Sequence, residues 1–330
     1  VGYQTNAITS SYAEGEVKAT GVSSQYVGGL VGWQEGAAAT ISGTDTQPSY
    51  ASGAVTGTAS YVGGLVGYRN HTINTSYWDS DTTGQAAGVG TGATSGLTAV
   101  RATTPTVNAY TQSAYSGFDF TNTWFMIGNE TRPILRSALT EIGKTFKADG
   151  ALAANTFTIH TPEALQLIHM RSLANATNGV TFFLGNDINF GDAFTNNGSV
   201  WRAAATKAAG NLYGFTPIGS NAANQIFRGV FDGRGHVIKG LTVSRSTDYA
   251  GLFGYIMLNA DVRNVGLADS FVTGGKYVGA LVGEMNGGSI TNVYANATVI
   301  GTASGDARVG GLVGWQYGGT ISNAWTAGMV

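Results

Sequence analysis

An eight-residue box, Tyr26-Val27-Gly28-Gly29-Leu30-Val31-Gly32-Trp33, returns along this chain with small changes. It recurs from Tyr61 to Tyr68 as YVGGLVGY, from Tyr249 to Tyr255 in the shortened form YAGLFGY, from Tyr277 to Glu284 as YVGALVGE, and from Arg308 to Trp315 as RVGGLVGW. Val1-Gly2-Tyr3 reads as the tail of one more. The last box glycines, Gly2, Gly32, Gly67, Gly254, Gly283 and Gly314, fall in two clusters with internal steps of 30, 35, 29 and 31 residues. A period of this size belongs to solenoids, propellers and arrays, which stack one small unit many times.

The segments between boxes repeat as well. Ile8-Thr9-Ser10-Ser11-Tyr12-Ala13, Ile73-Asn74-Thr75-Ser76-Tyr77-Trp78, Ile290-Thr291-Asn292-Val293-Tyr294-Ala295 and Ile321-Ser322-Asn323-Ala324-Trp325 share a short apolar run that ends on an aromatic ring. Each unit thus carries two short β-prone runs separated by Gly, Asn and Ser turns, and none has the spacing of an amphipathic helix. The expected fold is all-β, a parallel β-solenoid whose coils stack about 4.8 Å apart. The box glycines Gly28, Gly32, Gly63, Gly67, Gly251, Gly254, Gly279, Gly283, Gly310 and Gly314 then stand where the backbone bends sharply or another strand passes close. The Leu-Val pair between them supplies an inward residue and a neighbouring wall residue.

Fifty glycines and five prolines in 330 residues, with 43% hydrophobic and 11% charged residues, describe a turn-rich chain that has enough apolar material for a core. The net charge of −2 and the scattered placement of 17 basic residues give no electrostatic ground for nucleic acid or an anionic membrane. Cysteine is absent, which excludes disulfides and thiolate metal sites. No apolar run approaches the length of a membrane-spanning helix.

The sequence opens at Val1 inside a repeat, with no initiator Met and no signal peptide, as expected of an excerpt or a processed product. Residues 1–140 read as the end of one repeat block. After Tyr77-Trp78-Asp79-Ser80-Asp81-Thr82-Thr83-Gly84-Gln85 comes a Gly, Ala and Thr-rich stretch to about Thr104, expected as an irregular loop; Gly117 to Trp124 and Arg132-Pro133-Ile134-Leu135 then form a closing cap. Residues 141–330 read as the start of a second block. Thr161-Pro162-Glu163 puts a capping hydroxyl, a proline at the first helical position and an early acid in order, which predicts a short capping helix near 161–170. Strand and turn signals follow through Phe227-Arg228-Gly229-Val230-Phe231-Asp232-Gly233-Arg234-Gly235-His236 into the second cluster of boxes.

The G-G-L-V-G boxes resemble the GLUG repeat of large bacterial surface proteins, including filamentous-haemagglutinin-like adhesins exported by two-partner secretion and some surface-anchored peptidases. YWDSDTTGQ, FDFTNTW and RPILRS are similar to the way such blocks end, and TPEALQLI, NDINF, TPIG and FRGVFDGRGHVIKGL to the way they begin. The resemblance covers nearly the whole chain. It implies a right-handed parallel β-helix in a secreted or cell-surface stalk, acting in attachment or cell–cell adhesion against a host or bacterial surface glycan or protein. A block's end precedes a block's beginning here, so both termini leave incomplete coils. Unpaired strand edges of this kind are templates for another chain, which makes end-to-end self-association into a filament an alternative expectation.

Chemistry-bearing residues are few. Asp232 lies in a D-G-x-G-H turn of the sort found in parallel β-helices that degrade polysaccharides. Glycan cleavage needs a second carboxylate on the same groove, and none has an evident claim, so the expected role is turn stabilisation. Asp79 and Asp81 with Ser80 and Thr82 form an oxygen-rich stretch that is the one candidate for calcium, although no EF-hand spacing is present. His71, His160, His169 and His236 lack zinc-peptidase spacing, and no G-x-S-x-G elbow or phosphate-binding loop occurs. A non-catalytic chain is therefore expected, with glycan binding as a further alternative. Trp33, Tyr68, Tyr255 and Trp315 follow the last box glycine and form either an exposed ladder for sugar rings or an inward stack. N-x-[ST] acceptors at Asn70, Asn74, Asn129, Asn175, Asn197 and Asn296 are candidate glycosylation sites.

Overall fold

The computed structural model describes residues 1–21, 25–42, 44, 46–58, 61–103, 107–127, 130–139, 156–173, 178–202, 213–222 and 225–330. These form an all-β protein with few helices, in which most strands pair in parallel. The chain divides into two compact units, Val1–Leu135 with Ala193–Ala208, and Arg136–Asp192 with Ala209–Val330.

In the first unit, strands about one repeat apart lie side by side. Tyr3–Gln4, Val31–Gln34, Val66–Arg69 and Val89–Thr91 form one parallel sheet, and Tyr12–Ala13, Tyr50–Ala51, Ser76–Asp79 and Leu97–Val100 form another. Register follows the boxes: Tyr26 faces Tyr61, Val27 faces Val62, Gly28 faces Gly63 and Trp33 faces Tyr68. Ile8, Ile41 and Ile73 bridge in the same parallel sense. Both members of each Leu-Val pair turn inward, where Leu30, Val31, Leu65 and Val66 pack with Ile41, Ile73, Trp78 and Val89. Burying one such side chain contributes about 1.5–3 kcal/mol, so a repeated pair supplies core at every turn.

The last box glycine has a recurring environment. A Cβ on Gly67 would stand 2.4 Å from Val27 N and 2.6 Å from Gly32 O, and one on Gly90 would stand 2.5 Å from Val62 N and 2.6 Å from Gly67 O. Gly90 therefore repeats Gly67 one strand later in the same parallel sheet. The stretch expected as an irregular loop contains that strand and a second one, Val89–Thr91 and Leu97–Val100, each in parallel register on an earlier strand. Its box has lost the tyrosine and leucine and kept the glycine.

The segment Gly117–Trp124 packs against the end of this unit, where Trp124, Tyr110, Tyr115, Phe118, Tyr50 and Tyr77 form a buried aromatic cluster. Trp124–Phe125 pairs antiparallel with Ile134–Leu135. Ala193–Ala208, from the stretch expected to start the second block, also belongs to this unit: Ser52 Oγ donates to Gly198 O at 2.6 Å, and Arg132 N donates to Val200 O at 2.8 Å.

In the second unit, Thr156–Ile159, Thr181–Leu184, Val230–Asp232 and Asp261–Gly274 run parallel in that order. Asp261–Gly274 pairs with Val282–Gly301, which pairs with Val313–Met329. These three strands are long because they turn corners without losing their partners. Asn264, Asn292 and Asn323 take φ of +54°, +55° and +50° at equivalent corners, a conformation that asparagine tolerates better than most residues. Phe182, Phe227, Phe231, Phe253, Leu267, Val282 and Ile290 are fully buried beneath them. The helix expected near 161–170 runs Pro162–Leu173; Thr161 Oγ1 accepts from Ala164 N, and Leu165, Leu167 and Ile168 are buried. Among the described residues no helix is long and apolar enough to cross a membrane.

Candidate functional site

At the asparagine corners the side chains form a line of hydrogen bonds. Asn323 Nδ2 donates to Asn292 Oδ1 at 3.0 Å, Asn292 Nδ2 to Asn264 Oδ1 at 3.1 Å, and Asn264 Nδ2 to Asp232 Oδ1 at 3.0 Å. Each residue sits in the same place on successive strands, so one carboxamide satisfies the next. Asp232 ends the line. Its Oδ1 also accepts from Arg234 N at 2.9 Å, and its Oδ2 accepts from Arg263 Nε at 3.0 Å. Partial burial opposes ionisation of this carboxyl, but the bonds from Asn264, Arg234 N–H and Arg263 outweigh it and hold its pKa below the usual aspartate range.

Beside this line runs an open groove of about 470 Å³, lined by Asp232, Arg234, Asn264, Asn292 and Tyr294 with a floor at Val265 and Gly266. Strand register builds it. Val237, Gly266, Tyr294 and Trp325 stand in one row across four strands. Tyr294 and Trp325 stack with centroids 4.9 Å apart, whereas Gly266 has no side chain and the Tyr294 ring leans over it. At the Asp232 edge of the groove Arg234, at φ +52°, lays its guanidinium over the Phe183 ring on the preceding strand, 3.6 Å from the centroid. That cation is exposed and makes no ion pair among the described residues, while Asp232 and Asp261 are both engaged by Arg263.

Of the sequence candidates Asp232 lines this groove, and the others lie elsewhere. Asp232 holds the glycine turn through Arg234 N, the structural role expected of it. Asp79 is fully buried against Arg132, and Asp81 binds Arg101 Nε at 2.9 Å and Thr103 Oγ1 at 2.6 Å, so neither carboxylate is left for calcium. His160 pairs with Asn186, His169 with the Pro217 carbonyl and His236 with Asp187. Among the described residues no three His, Asp or Glu side chains gather to hold a metal.

The box glycines are packed against backbone. A Cβ on Gly28, Gly63, Gly279 or Gly310 would meet the carbonyl of Val31, Val66, Val282 or Val313 within 2.1–2.4 Å, and those on Gly32, Gly251, Gly254, Gly283 and Gly314 would each have backbone oxygen within 2.7 Å. Trp33 and Tyr68 stand in register with ring centroids 5.8 Å apart, half-buried beside Tyr26 and Tyr61 and outside the apolar core. In the second unit the row is Tyr255, Glu284 and Trp315, with Tyr255 buried and a carboxylate where other boxes carry a ring. Of the glycosylation acceptors, Asn70, Asn197 and Asn296 are exposed and Asn74 is half-buried; Asn129 and Asn175 fall outside the described residues.

No model of a known protein family matches the chain. Over 198 residues it is 30% identical to halomucin from Haloquadratum walsbyi, a match covering 60% of this chain and 2% of that protein. Over 84 residues it is 42% identical to a Gly-rich membrane protein from Evansella cellulosilytica, covering 24% of this chain and 9% of the relative. The chain thus spans a small part of either relative's length. A crystal structure from Bacteroides ovatus, described as a candidate immunoglobulin A1 protease, aligns with a TM-score of 0.36 at 22% identity over 56% of this chain and 61% of its own.

Proposed function

We propose that this chain is a non-catalytic segment of an extracellular surface protein, a rigid right-handed parallel β-helix of GLUG-type repeats that serves as a stalk in surface attachment. The observation that carries the reading is the box-on-box register, in which Tyr26, Val27 and Gly28 face Tyr61, Val62 and Gly63, and Tyr277, Val278 and Gly279 face Arg308, Val309 and Gly310. A unit that stacks its box on the next copy of the box is suited to length and stiffness rather than to chemistry. Similarity to halomucin over 2% of that protein's length supports a surface location for a segment of a much longer chain.

The polar groups agree with a structural role. Asp232 and Asp261 share Arg263, and Asp79 is closed off by Arg132, which leaves these carboxylates tied as acceptors instead of poised as acid and base. The test is immunogold labelling of intact source cells with antibody raised to this chain. Label on the outer face without permeabilisation is the expected result; label that appears only after permeabilisation would overturn the surface reading.

A further inference from the structure

We propose that the groove between Arg234 and Tyr294 binds an acidic sugar, a uronic-acid residue of a polysaccharide. The groove carries the three kinds of group that such a ring requires, and each is fixed by the fold. Tyr294 offers an aromatic wall on which the apolar face of a sugar packs, and its ring is held in place by stacking on Trp325. Asn264 and Asn292 point carboxamides along the same groove; each spends one N–H and one acceptor position on the ladder and keeps a second N–H for a sugar hydroxyl.

Arg234 decides the charge of the ligand. Its guanidinium rests on Phe183 at the rim of the groove and is exposed, while Asp232 is already satisfied by Arg263, Asn264 and the Arg234 backbone N–H. A planar guanidinium with free donors takes a carboxylate in a two-point contact. Gly235 carries no side chain at the groove, and the Tyr294 ring covers Gly266, so a sugar ring would rest against Tyr294 rather than below it. The volume of about 470 Å³ holds one or two sugar residues and is open at the surface, as an internal residue of a longer polymer needs.

Saturation-transfer NMR on the whole protein tests this with three probes: a hyaluronan tetrasaccharide, the neutral chitotetraose and tetraglutamate. The expected result is transfer from Tyr294 ring protons to the hyaluronan fragment, with affinity about tenfold above chitotetraose. Arg234→Gln removes that preference, Arg234→Lys keeps part of it, and Tyr294→Leu removes transfer to both sugars. Thermal unfolding of each variant checks that it folds, and the wild-type transfer pattern decides the matter even where a variant does not. No transfer to the acidic fragment at millimolar concentration, equal affinity for the neutral sugar, tighter binding of tetraglutamate, or an Arg234→Gln variant that keeps the preference would each overturn the proposal.

Discussion

Arg132 Nη2 donates to Asp79 Oδ2 at 2.7 Å, with both side chains fully buried. The pair is enclosed by further bonds. Asp79 Oδ1 accepts from the backbone N–H groups of Asp81, Thr82 and Ala102, while the guanidinium lies over the Tyr110 ring and bonds Asn197 O and Ser199 O. One arginine therefore ties Ala193–Ala208 to the corner at Asp79. Arg132→Met strands a buried carboxylate and is expected to lower stability by about 3–5 kcal/mol in urea unfolding, with Asp79→Asn in the same chain restoring part of the loss. A loss below about 1 kcal/mol would mean that the pair contributes little.

The last glycine of each box is expected to be intolerant of any side chain. Gly67→Ala places a methyl group 2.4 Å from Val27 N and 2.6 Å from Gly32 O, both backbone atoms of the neighbouring coil. The neighbour cannot rotate away, so the expected loss is about 3 kcal/mol or more in thermal unfolding. Gly15→Ala, where nothing lies within 4 Å, is the control and should be nearly neutral.

The asparagine ladder separates into a backbone part and a side-chain part. Asn292→Gly keeps the corner at φ +55° and loses the hydrogen bonds to Asn264 and Asn323, for an expected cost of about 1 kcal/mol. Asn292→Ala adds the left-handed strain of a Cβ and should cost about 2–3 kcal/mol. Equal stability of the two variants would show that the corner conformation carries no penalty.

Stability of the second unit should depend on pH through His169. Burial, aided by the charge of Arg245, outweighs the hydrogen bond to the Pro217 carbonyl and pushes the imidazole down to about 4. The unfolded chain then takes up a proton between its ordinary value of 6.5 and 4 that the folded chain refuses. Stability falls as pH drops through that window and levels off below it, with a total change on the order of 3 kcal/mol. His169→Gln should flatten the slope measured by denaturation between those limits; an unchanged slope would assign it to other groups.

The parallel pairing of boxes was readable because the repeat is nearly literal, so Tyr26 and Tyr61 could be aligned before any contact was known. The strand at Val89–Thr91 was not, since its box keeps only the glycine geometry, and glycine spacing in a chain of 50 glycines carries little signal. Ala193–Ala208 gave no local hint of its unit because Gly198 meets Ser52 across 146 positions. The groove was half visible. Val262-Arg263-Asn264-Val265, Ile290-Thr291-Asn292-Val293 and Ile321-Ser322-Asn323-Ala324 each place asparagine between a polar and an apolar residue after an aliphatic one, a pattern that would have found the ladder. That Gly266 falls in the row of Tyr294 and Trp325 needs the register itself.

That register is the measurement to make first. Thr291 faces Ser322 on neighbouring parallel strands with hydroxyl oxygens 3.2 Å apart, and the native chain has no cysteine to interfere. The double variant Thr291→Cys, Ser322→Cys should close an intramolecular disulfide under mild oxidation, seen as a faster monomer band on a non-reducing gel. Thr291→Cys with Thr320→Cys, two positions out of step, should stay reduced, because two residues of strand carry the partner about 6.6 Å along the chain and out of disulfide reach. Closure of the second pair as readily as the first, or of neither, would contradict the stacked parallel coils on which the proposed surface stalk rests.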